Sequence, residues 1–334
     1  YWGDIFMEKD YFKKNIEDFM SGATDFLTMQ QTLPNGFMEL TCYYILPGIF
    51  LVLNDIHAQT VPCNKGVMPE NIFLINYCMN GRCEFRTDYD NYSYIDHNLI
   101  SLSTQMAQDY FYYPSSAYKG YEIYMLPTMF QKETLDILEF FDIDWNHLLQ
   151  MYAKGAVFRA SEKMLSLWNS ISENYGSANL GQLRLDVIEL LKLLHDNPPI
   201  PSADMLYLSK TQAMLAKHAE ELLVQDLSHH MSVKSVSEAL GVSESSLKRY
   251  FRTVYGVNVS TYMNEARMKY AAKLLSSSNT SISDIAKACG YVNQGRFASI
   301  FRAFYGMKPL DYRRQAKVCP ESEAKSESEK IKQD

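Results

Sequence analysis

Two stretches of the chain repeat each other at a separation of about 50 residues. VSEALGV (236–242) and YFRTVYG (250–256) recur as IAKACGY (285–291) and IFRAFYG (300–306). Tyr262 and Tyr312 follow the two copies at the same distance, and the second copy has one extra residue between its two glycines. The repeat predicts one supersecondary unit that occurs twice in the C-terminal part of the chain.

Each copy has the pattern of two helices joined by a glycine turn. The first helix carries apolar residues at helical spacing and stops at Gly241 or Gly290, a residue type that adopts positive φ without strain. Ser243 and Asn293 then stand where an N-cap starts a second helix. The pattern predicts a helix-turn-helix motif in each copy.

The second helix of each motif has one apolar and one polar face. Leu247 and Phe251, like Phe297 and Phe301, stand four residues apart and are predicted to face the core. The remaining polar and basic residues are types that contact base edges and phosphates in a major groove. They are Ser245, Ser246, Lys248, Arg249 and Arg252 in the first helix, and Gln294, Arg296, Ser299 and Arg302 in the second.

On these residues the segment resembles the DNA-binding domain of the AraC/XylS family of bacterial transcription regulators. The C-terminal signature of that family stands here as Ile285-Ala286, Gly290-Tyr291, Phe297, Phe301-Arg302, Tyr305-Gly306, Pro309 and Tyr312-Arg313. The connecting helix, about residues 260–277, also fits, with Tyr262, Arg267, Ala271, Leu274 and Leu275 at family positions. The resemblance implies two recognition helices that enter successive major-groove faces about 34 Å apart.

Two positions depart from the family pattern. Gly295 and Arg296 stand where the family often has a small polar residue and an aromatic one, and Val259 or Ser260 stands where a proline often follows the glycine. Glycine costs about 1 kcal/mol relative to alanine inside a helix. We therefore expect a more pliable second recognition helix with weaker base selectivity.

The exposed faces and the resemblance together assign the DNA contacts. For base reading they indicate Ser245, Lys248, Arg249, Gln294, Arg296 and Ser299. For phosphates, or for carboxylates of the chain itself, they indicate Arg252, Arg302, Lys308 and Arg313. For any single arginine, phosphate or solvent contact is the alternative to base reading.

The charge of the chain is unevenly distributed. The 334 residues have a net charge of −7, which by itself argues against a nucleic-acid partner. Residues 211–317, however, hold 15 Lys and Arg against 8 Asp and Glu, so this segment is +7 and the remainder is −14. The asymmetry predicts a polyanion partner for the C-terminal segment alone.

The N-terminal part has the pattern of a strand-rich domain. Tyr-, Ile-, Phe- and Val-rich segments between residues 37 and 127 are separated by turn signals at Leu53–Ile56, Asn80-Gly81, Asp90-Asn91 and Pro114–Ser116. Asn80-Gly81 predicts a type I′ hairpin that places Cys78 opposite Cys83. A cross-strand disulfide and two reduced core thiols are the alternatives for that pair, and the reduced thiols are favoured.

Residues 130–150, 160–174 and 181–196 have helical periodicity. The last helix carries one apolar stripe, and Ile188 and Leu191 extend it toward a second apolar face. A helix that is apolar on two faces must bury both, so we predict that a second subunit covers one of them. The alternative is an internal core helix. The residues of the predicted dimer stripe are Leu183, Val187, Leu190 and Leu194.

The resemblance implies a cupin-like, ligand-sensing N-terminal domain, but no N-terminal motif supports it. Aromatic residues of the strands are candidates for lining an apolar pocket, with ordinary core packing as the alternative. The candidates are Tyr43, Phe50, Phe73, Tyr77, Phe85 and Tyr112. No metal or other cofactor is predicted, because His57 and His97 are isolated and the adjacent His229 and His230 point apart on a helix.

We therefore predict an α+β protein with an N-terminal β-rich, cupin-like barrel, a helical dimerisation segment and an all-α double helix-turn-helix domain. The predicted boundaries are 1–128 for the ligand-sensing domain, 129–196 for the dimerisation segment, 197–210 for a linker, 211–316 for the DNA-binding domain and 317–334 for a disordered tail. The linker contains three prolines in five positions, and the tail is polar without periodicity.

The predicted function is a cytoplasmic, homodimeric, ligand-responsive transcription regulator without enzymatic activity. Its expected partners are double-stranded promoter DNA, a small-molecule effector and RNA polymerase. The alternatives are a regulator controlled by a partner protein, and a cupin-type enzyme tethered to DNA. No apolar run is long enough to span a membrane, and the N-terminus lacks the pattern of a signal peptide.

Overall fold

The computed structural model describes residues 18–62, 72–86, 91–104, 110–176, 179–198 and 207–316 of the chain. The chain divides into two compact units, residues 1–210 and residues 211–334, which we call unit 1 and unit 2. Unit 1 combines strands and helices, and unit 2 is helical, so the predicted α+β class is confirmed. The predicted tail and residues 199–206 of the predicted linker lie outside the described residues.

Unit 1 is built on a seven-stranded antiparallel sheet. Two smaller sheets accompany it, one of three strands and one of two. The large sheet has the spatial order β1 (Phe26–Leu33), β2 (Gly36–Leu46), β3 (Ile49–His57), β10 (Tyr118–Met125), β5 (Phe73–Gly81), β8 (Leu99–Ser103) and β11 (Ala156–Arg159). The small sheets are β12 (Leu208–Ser209), β7 (Asn91–Ile95) and β6 (Cys83–Arg86), and β4 (Thr60–Pro62) with β9 (Tyr110–Tyr112).

The large sheet is open. Among the described strands, β1 and β11 form its two edges and do not pair with each other, so the sheet does not close into the barrel that the sequence led us to expect. β11 is four residues long and falls between the predicted helical stretches 130–150 and 160–174, inside the segment 129–196 that was predicted to be a helical dimerisation segment. Residues 129–196 therefore contain an edge strand as well as helices.

The two faces of the sheet carry different side chains. Along β10, Tyr121, Ile123 and Met125 point to one face, where they join the main core of unit 1. The alternate residues Glu122 and Tyr124 point to the other face and are also buried. Both faces of this central strand are thus covered.

Four of the helices that the structure describes in unit 1 supply the other half of the main core. They are α1 (Lys132–Phe140), α2 (Trp145–Met151), α3 (Glu162–Gly176) and α4 (Leu180–Asp196), and a 3₁₀ turn, Pro127–Met129, precedes them. Trp168 of α3 stacks on Tyr77 of β5 with ring centroids 4.8 Å apart. The helices therefore cover the face to which Tyr121 and Ile123 point.

The prediction that a second subunit covers the apolar stripe of α4 is wrong. Leu183, Val187, Leu190 and Leu194 each have 0% exposure, because they lie in the main core of unit 1. The internal-core alternative describes α4 correctly, since the helix buries its wide apolar surface against its own sheet and α3. In this fold the stripe is not available to a second subunit.

Between residues 37 and 127 the predicted strand segments are observed wherever the structure describes the chain, and residues 87–90, which include the first residue of the predicted turn Asp90-Asn91, lie outside the described residues. The turn predicted at Leu53–Ile56 is wrong. β3 continues through it to His57. The polar residues that suggest a turn have partners on β10: Asp55 forms an ion pair with Lys119 at 3.0 Å, and buried Asn54 is opposite Gly120. Cross-strand pairing therefore accommodates polar residues in a central strand.

The hairpin predicted at Asn80-Gly81 is also wrong. β5 pairs with β8 and β10, while β6 pairs with β7, so the two strands that flank the turn belong to different sheets. Asn80 has no positive φ, which a type I′ turn requires. Cys78 and Cys83 are buried free thiols, and burial raises the pKa of Cys83 to about 12.

Unit 2 is a bundle of helices joined by short turns. Its helices are α5 (Lys210–Val224), α6 (Val233–Ala239), α7 (Glu244–Tyr255), α8 (Val259–Ser277), α9 (Ile282–Ala288) and α10 (Gln294–Tyr305), and a last helix covers residues 309–316. None of the helices that the structure describes in either unit is long and apolar enough to cross a bilayer.

Candidate nucleic-acid interface

The first helix-turn-helix motif comprises α6 and α7. The Ser232 hydroxyl caps α6 by accepting the amide of Ser235 at 3.0 Å, and the Ser243 hydroxyl caps α7 by accepting the amide of Ser246 at 3.1 Å. Gly241 lies in the turn with φ +67°. The caps fix where each helix begins, and the glycine allows the sharp turn between them.

The second motif, α9 and α10, has the same construction. Ser281 accepts the amide of Asp284 at 3.1 Å, and Asn293 Oδ1 accepts the amide of Arg296 at 2.9 Å. Gly290 has φ +78°, and a Cβ there would lie only 2.8 Å from the Leu227 carbonyl oxygen. Glycine is thus required at position 290 both by the backbone conformation and by the close approach of the chain.

Each recognition helix, α7 or α10, is fixed to unit 2 by an aromatic trio. In the first motif the rings of Phe251 and Tyr262 are 5.4 Å apart at 84°. In the second, Phe301 and Tyr312 are 5.4 Å apart at 83°. The third members, Tyr255 and Tyr305, contact both rings of their trio. The internal repeat in the sequence is therefore also a repeat of side-chain packing.

The apolar faces of the recognition helices are buried as predicted. Leu247, Phe251, Phe297 and Phe301 each have at most 1% exposure. The polar faces are exposed, and they contain all six candidate base-reading residues. Those residues are Ser245, Lys248 and Arg249 on α7, and Gln294, Arg296 and Ser299 on α10.

Two of the basic residues on α7 have partners on their own helix. Lys248 Nζ lies 2.5 Å from Glu244 Oε1, one helical turn earlier. The Arg249 guanidinium lies over the Tyr250 ring, 5.2 Å from its centroid. Both contacts are at the surface, so they orient the side chains without removing them from solvent.

The candidate phosphate contacts divide into two groups. Arg252, Arg302 and Lys308 are exposed. Arg313 is half-buried, and its Nη2 donates a hydrogen bond to the Thr280 carbonyl oxygen at 2.6 Å. The phosphate assignment of Arg313 is therefore corrected, because its guanidinium bonds to the loop before α9.

The connecting helix α8 carries a buried arginine at its centre. Arg267 is 4% exposed, and it donates from Nε to the Leu227 carbonyl at 3.1 Å and from Nη2 to the His229 carbonyl at 3.3 Å. Burial lowers the pKa of its guanidinium. Next to these bonds, His230 Nε2 lies 3.0 Å from the Gly290 carbonyl oxygen. The loop that precedes the first motif is thus bonded to α8 and to the turn of the second motif.

Val292 is a candidate contact that the sequence reasoning missed. It directly precedes the N-cap of α10, and its side chain is 101% exposed. The signal was present as the extra residue in the second copy, since Tyr291 is buried at 9% and the surplus position falls on Val292. An exposed apolar side chain at the start of a recognition helix has the chemistry that contacts a thymine methyl group.

Gly295 is closer to the helix start than the sequence reasoning assumed. It is the second residue of α10, and a Cβ there would lie 3.1 Å from Asn293 Oδ1, the cap acceptor. The cost of glycine in a helix interior therefore does not apply in full at this position.

The six candidate pocket residues of unit 1 are not brought together. Tyr43, Phe73 and Tyr77 lie in the main core under the helices, whereas Phe50 packs on the other face of the sheet. Tyr112 is buried on the short strand β9. Phe85 lines a cavity with Lys154 and Tyr207. Ordinary core packing therefore accounts for most of the set. No metal-binding group of three or more His, Cys, Asp or Glu side chains occurs among the described residues.

The chain is similar to known proteins over part of its length, and the family match falls in unit 2. Residues 236–315 match the family described as "Helix-turn-helix domain". The chain is 34% identical over 91 residues to the porin thermoregulatory protein EnvY of Escherichia coli K12, covering 27% of this chain and 36% of the relative. It is 34% identical over 122 residues to the transcriptional activator RhaR of Yersinia pestis, covering 35% and 42%.

A solved structure is also similar to part of the chain. It is a transcriptional regulator of Chromobacterium violaceum with an AraC-type DNA-binding domain, 28% identical, with a TM-score of 0.30, covering 31% of this chain and 92% of that one. The matches to both curated relatives span less than half of the relatives' own length. The double helix-turn-helix domain of unit 2, rather than the chain as a whole, is therefore of the AraC/XylS type.

Proposed function

We propose that the protein regulates transcription by binding promoter DNA with α7 and α10. The observation that carries the proposal is the duplicated geometry of unit 2: two N-capped helices, each backed by the same aromatic trio, each with an exposed polar and basic face. In this account Ser245, Lys248, Arg249, Gln294, Arg296 and Ser299 contact bases, and Arg252, Arg302 and Lys308 contact phosphates.

The rigid connection between the motifs supports recognition of one asymmetric site by one chain. Arg267 and His230 bond the loop before the first motif to both α8 and the second motif. Two recognition helices with a fixed separation fit successive major-groove faces about 34 Å apart. A single chain therefore has both helices that one site requires, and a homodimer would bind two such sites.

The role of unit 1 is proposed as the sensing of a small-molecule effector in the cytoplasm. Its separate core supports that role, since a unit with its own fold can respond to a ligand independently. Control by a partner protein is the alternative, and a melting shift on adding a small molecule separates the two. RNA polymerase and a second copy of the chain stay expectations of the family resemblance. Both curated relatives are named as regulatory proteins, and we propose no catalytic activity.

The experiment that tests the DNA proposal is selection from a random duplex pool with the full chain, followed by hydroxyl-radical footprinting of the enriched sequence. The expected result is two protected patches on one side of the duplex, about one helical turn apart. A pool that shows no enrichment, or a single protected patch, contradicts recognition by two helices.

A further inference from the structure

A two-residue edge strand, β12 (Leu208–Ser209), lies at the C-terminal end of unit 1. In β12, Leu208 pairs with Tyr92 and Ser209 pairs with Asn91 of β7. Leu208 is only 4% exposed, although the sequence places it in a linker. The helix α5 starts at the next residue, Lys210. The chain that leads into unit 2 is therefore attached to the sheet of unit 1 by two residue pairs.

A cavity of about 260 Å³ lies against this strand. It is lined by Phe85 of β6, Asn91 of β7, Tyr207 directly before β12, and the turn and strand from Lys154 to Val157. Two of these residues, Asn91 and Tyr207, belong to or adjoin the β7–β12 pairing. Any molecule in the cavity is therefore next to the attachment point of the strand.

One wall of the cavity, formed by Phe85, Gly155 and Val157, is tightly packed. Gly155 has φ +70°, and a Cβ there would lie 3.1 Å from the Leu102 carbonyl oxygen and 3.3 Å from Phe85 Cζ. Val157 is 2% exposed and pairs with Ser101 in the large sheet. The turn before β11 thus approaches Phe85 as closely as a glycine allows, which keeps that ring in place.

Among the lining residues that the structure describes, apolar side chains are combined with one cation, Lys154. Phe85 and Tyr207 supply rings, and Ala156 and Val157 supply aliphatic surface. Lys154 is exposed, and within the part of the chain that the structure describes no carboxylate lies within ion-pair distance of it. Pockets for drug-sized ligands span about 300–1,000 Å³, so this cavity fits a smaller molecule. The lining matches a compact apolar body with one carboxylate.

We propose that this cavity binds a small apolar monocarboxylate, and that the bound molecule stabilises the pairing of β12 with β7. Ligand binding in the cavity concerns unit 1 alone. The effect on β12 rests on the proposed function, because β12 leads into the DNA-binding domain and would be the element that responds to the effector.

The coupling follows from which residues the ligand contacts. Tyr207 lines the cavity only while β12 is attached, because it immediately precedes Leu208. A ligand that contacts Tyr207 therefore has a higher affinity for the attached state and shifts the population toward it. By linkage, detachment of β12 lowers the affinity for the ligand by the same factor.

Binding is tested by isothermal titration calorimetry on the full chain with benzoate and hexanoate, and with benzamide and hexanamide as uncharged counterparts. We expect both carboxylates to bind and the amides to bind at least about tenfold more weakly, because the charge-assisted contact with Lys154 is lost. Lys154→Met is expected to weaken carboxylate binding by about the same factor. Lys132→Met, an exposed lysine on α1, is the matched control and keeps wild-type affinity.

Two results overturn the binding proposal. One is that neither carboxylate binds the wild-type chain, and the other is that Lys154→Met binds them with wild-type affinity. The coupling is tested by hydrogen exchange at Leu208 and Ser209. Benzoate is expected to slow exchange there in the wild type and to leave it unchanged in Lys154→Met, and unchanged exchange in the wild type overturns the coupling.

DNA binding of the same preparations separates this proposal from the proposed function. If the wild-type chain binds benzoate but enriches no duplex from a random pool, the carboxylate site stands and the regulatory role fails. If it enriches a duplex but binds no carboxylate, the proposed function stands and the cavity proposal fails.

Discussion

Arg267 Nε donates a hydrogen bond to the Leu227 carbonyl oxygen at 3.1 Å, which connects α8 to the loop before the first helix-turn-helix motif. The same guanidinium also bonds to the His229 carbonyl, and His230 bonds to the carbonyl of Gly290 in the second motif. One buried side chain therefore contributes to the relative placement of both recognition helices. This connection is the structural basis for treating the two helices as one DNA-binding surface.

Removal of that guanidinium is expected to destabilise unit 2. Arg267→Met keeps most of the side-chain volume but leaves the Leu227 and His229 carbonyls without these donors. We expect a loss of about 2–4 kcal/mol in the free energy of unfolding. Hydrogen exchange of peptides from α8 to α10 measures this loss of stability. Tryptophan fluorescence would not report on the unfolding of unit 2, because the three tryptophans of the sequence all precede it. Lys273→Met, at an exposed position of α8, is the control, and equal protection in the two variants contradicts the assigned role of Arg267.

The two aromatic trios differ in the hydrogen bonding of the tyrosine that follows each copy of the repeat. Tyr262 donates its hydroxyl to the buried carboxylate of Glu220 at 2.7 Å, whereas Tyr312 occupies the same place in the second trio and contacts Phe301 with its ring. We expect Tyr262→Phe to cost about 1–3 kcal/mol of unit 2 stability, because Glu220 loses a donor. Tyr312→Phe is the matched control and should cost less. The same hydrogen-exchange measurement checks both, and equal costs would show that the bond to Glu220 contributes nothing.

Glu122 makes the stability of unit 1 depend on pH. The residue is 6% exposed, and burial raises the pKa of its carboxyl above its usual range, although hydrogen bonds from Tyr124 and Asn54 oppose the shift. Between the ordinary glutamate pKa and the raised value, the folded chain binds more protons than the unfolded chain. The free energy of unfolding contributed by this group therefore falls as the pH rises across that window.

Glu122→Gln is expected to remove that part of the pH dependence. Urea midpoints followed by tryptophan fluorescence at a series of pH values, from about 4 to 7, give the difference between wild type and variant. We expect the difference to change progressively in favour of the variant as the pH rises. Glu39→Gln, at an exposed position of β2, should show no such change. A constant difference for Glu122→Gln would mean that its pKa is the same in the folded and unfolded chains.

Val292 provides a prediction about sequence selectivity rather than affinity alone. If its exposed side chain contacts a thymine methyl group, Val292→Ser should relax the preference at one base pair of the selected site, by about 1–3 kcal/mol at most. Parallel selections with wild type and variant measure the preference at every position. An unchanged preference across the whole site would exclude a base contact by Val292.

The helix-turn-helix motifs could be predicted from the sequence because their signals are local. Ser243 and Asn293 cap the helices that they were expected to cap, and Phe251 and Phe301 are buried as their spacing indicates. The repeat also indicated an extra residue in the second copy. The pairing of Gly290-Tyr291 with Gly241-Val242, and of Asn293 with Ser243, leaves Val292 as that residue, and the structure adds that its side chain is exposed.

Unit 1 was less predictable because its arrangement depends on distant partners. Helical periodicity correctly indicated that Leu183, Val187 and Leu190 of α4 would be buried, but periodicity does not say whether a partner subunit or the unit's own sheet covers them. The Asn80-Gly81 pair has the composition of a hairpin turn, yet β5 and β6 pair with strands that lie elsewhere in the chain. Tertiary pairing overrides a local turn preference in this case.

The central claim is that exposed arginines on both recognition helices contact DNA. Fluorescence anisotropy of a selected duplex with Arg249→Ala, Arg296→Ala and the control Lys273→Ala tests it most directly, with hydrogen exchange to verify that unit 2 stays folded. We predict that each arginine variant loses about 1–3 kcal/mol of binding free energy while Lys273→Ala binds like the wild type. Wild-type affinity in both folded arginine variants would contradict the assignment of α7 and α10 as the DNA-binding helices.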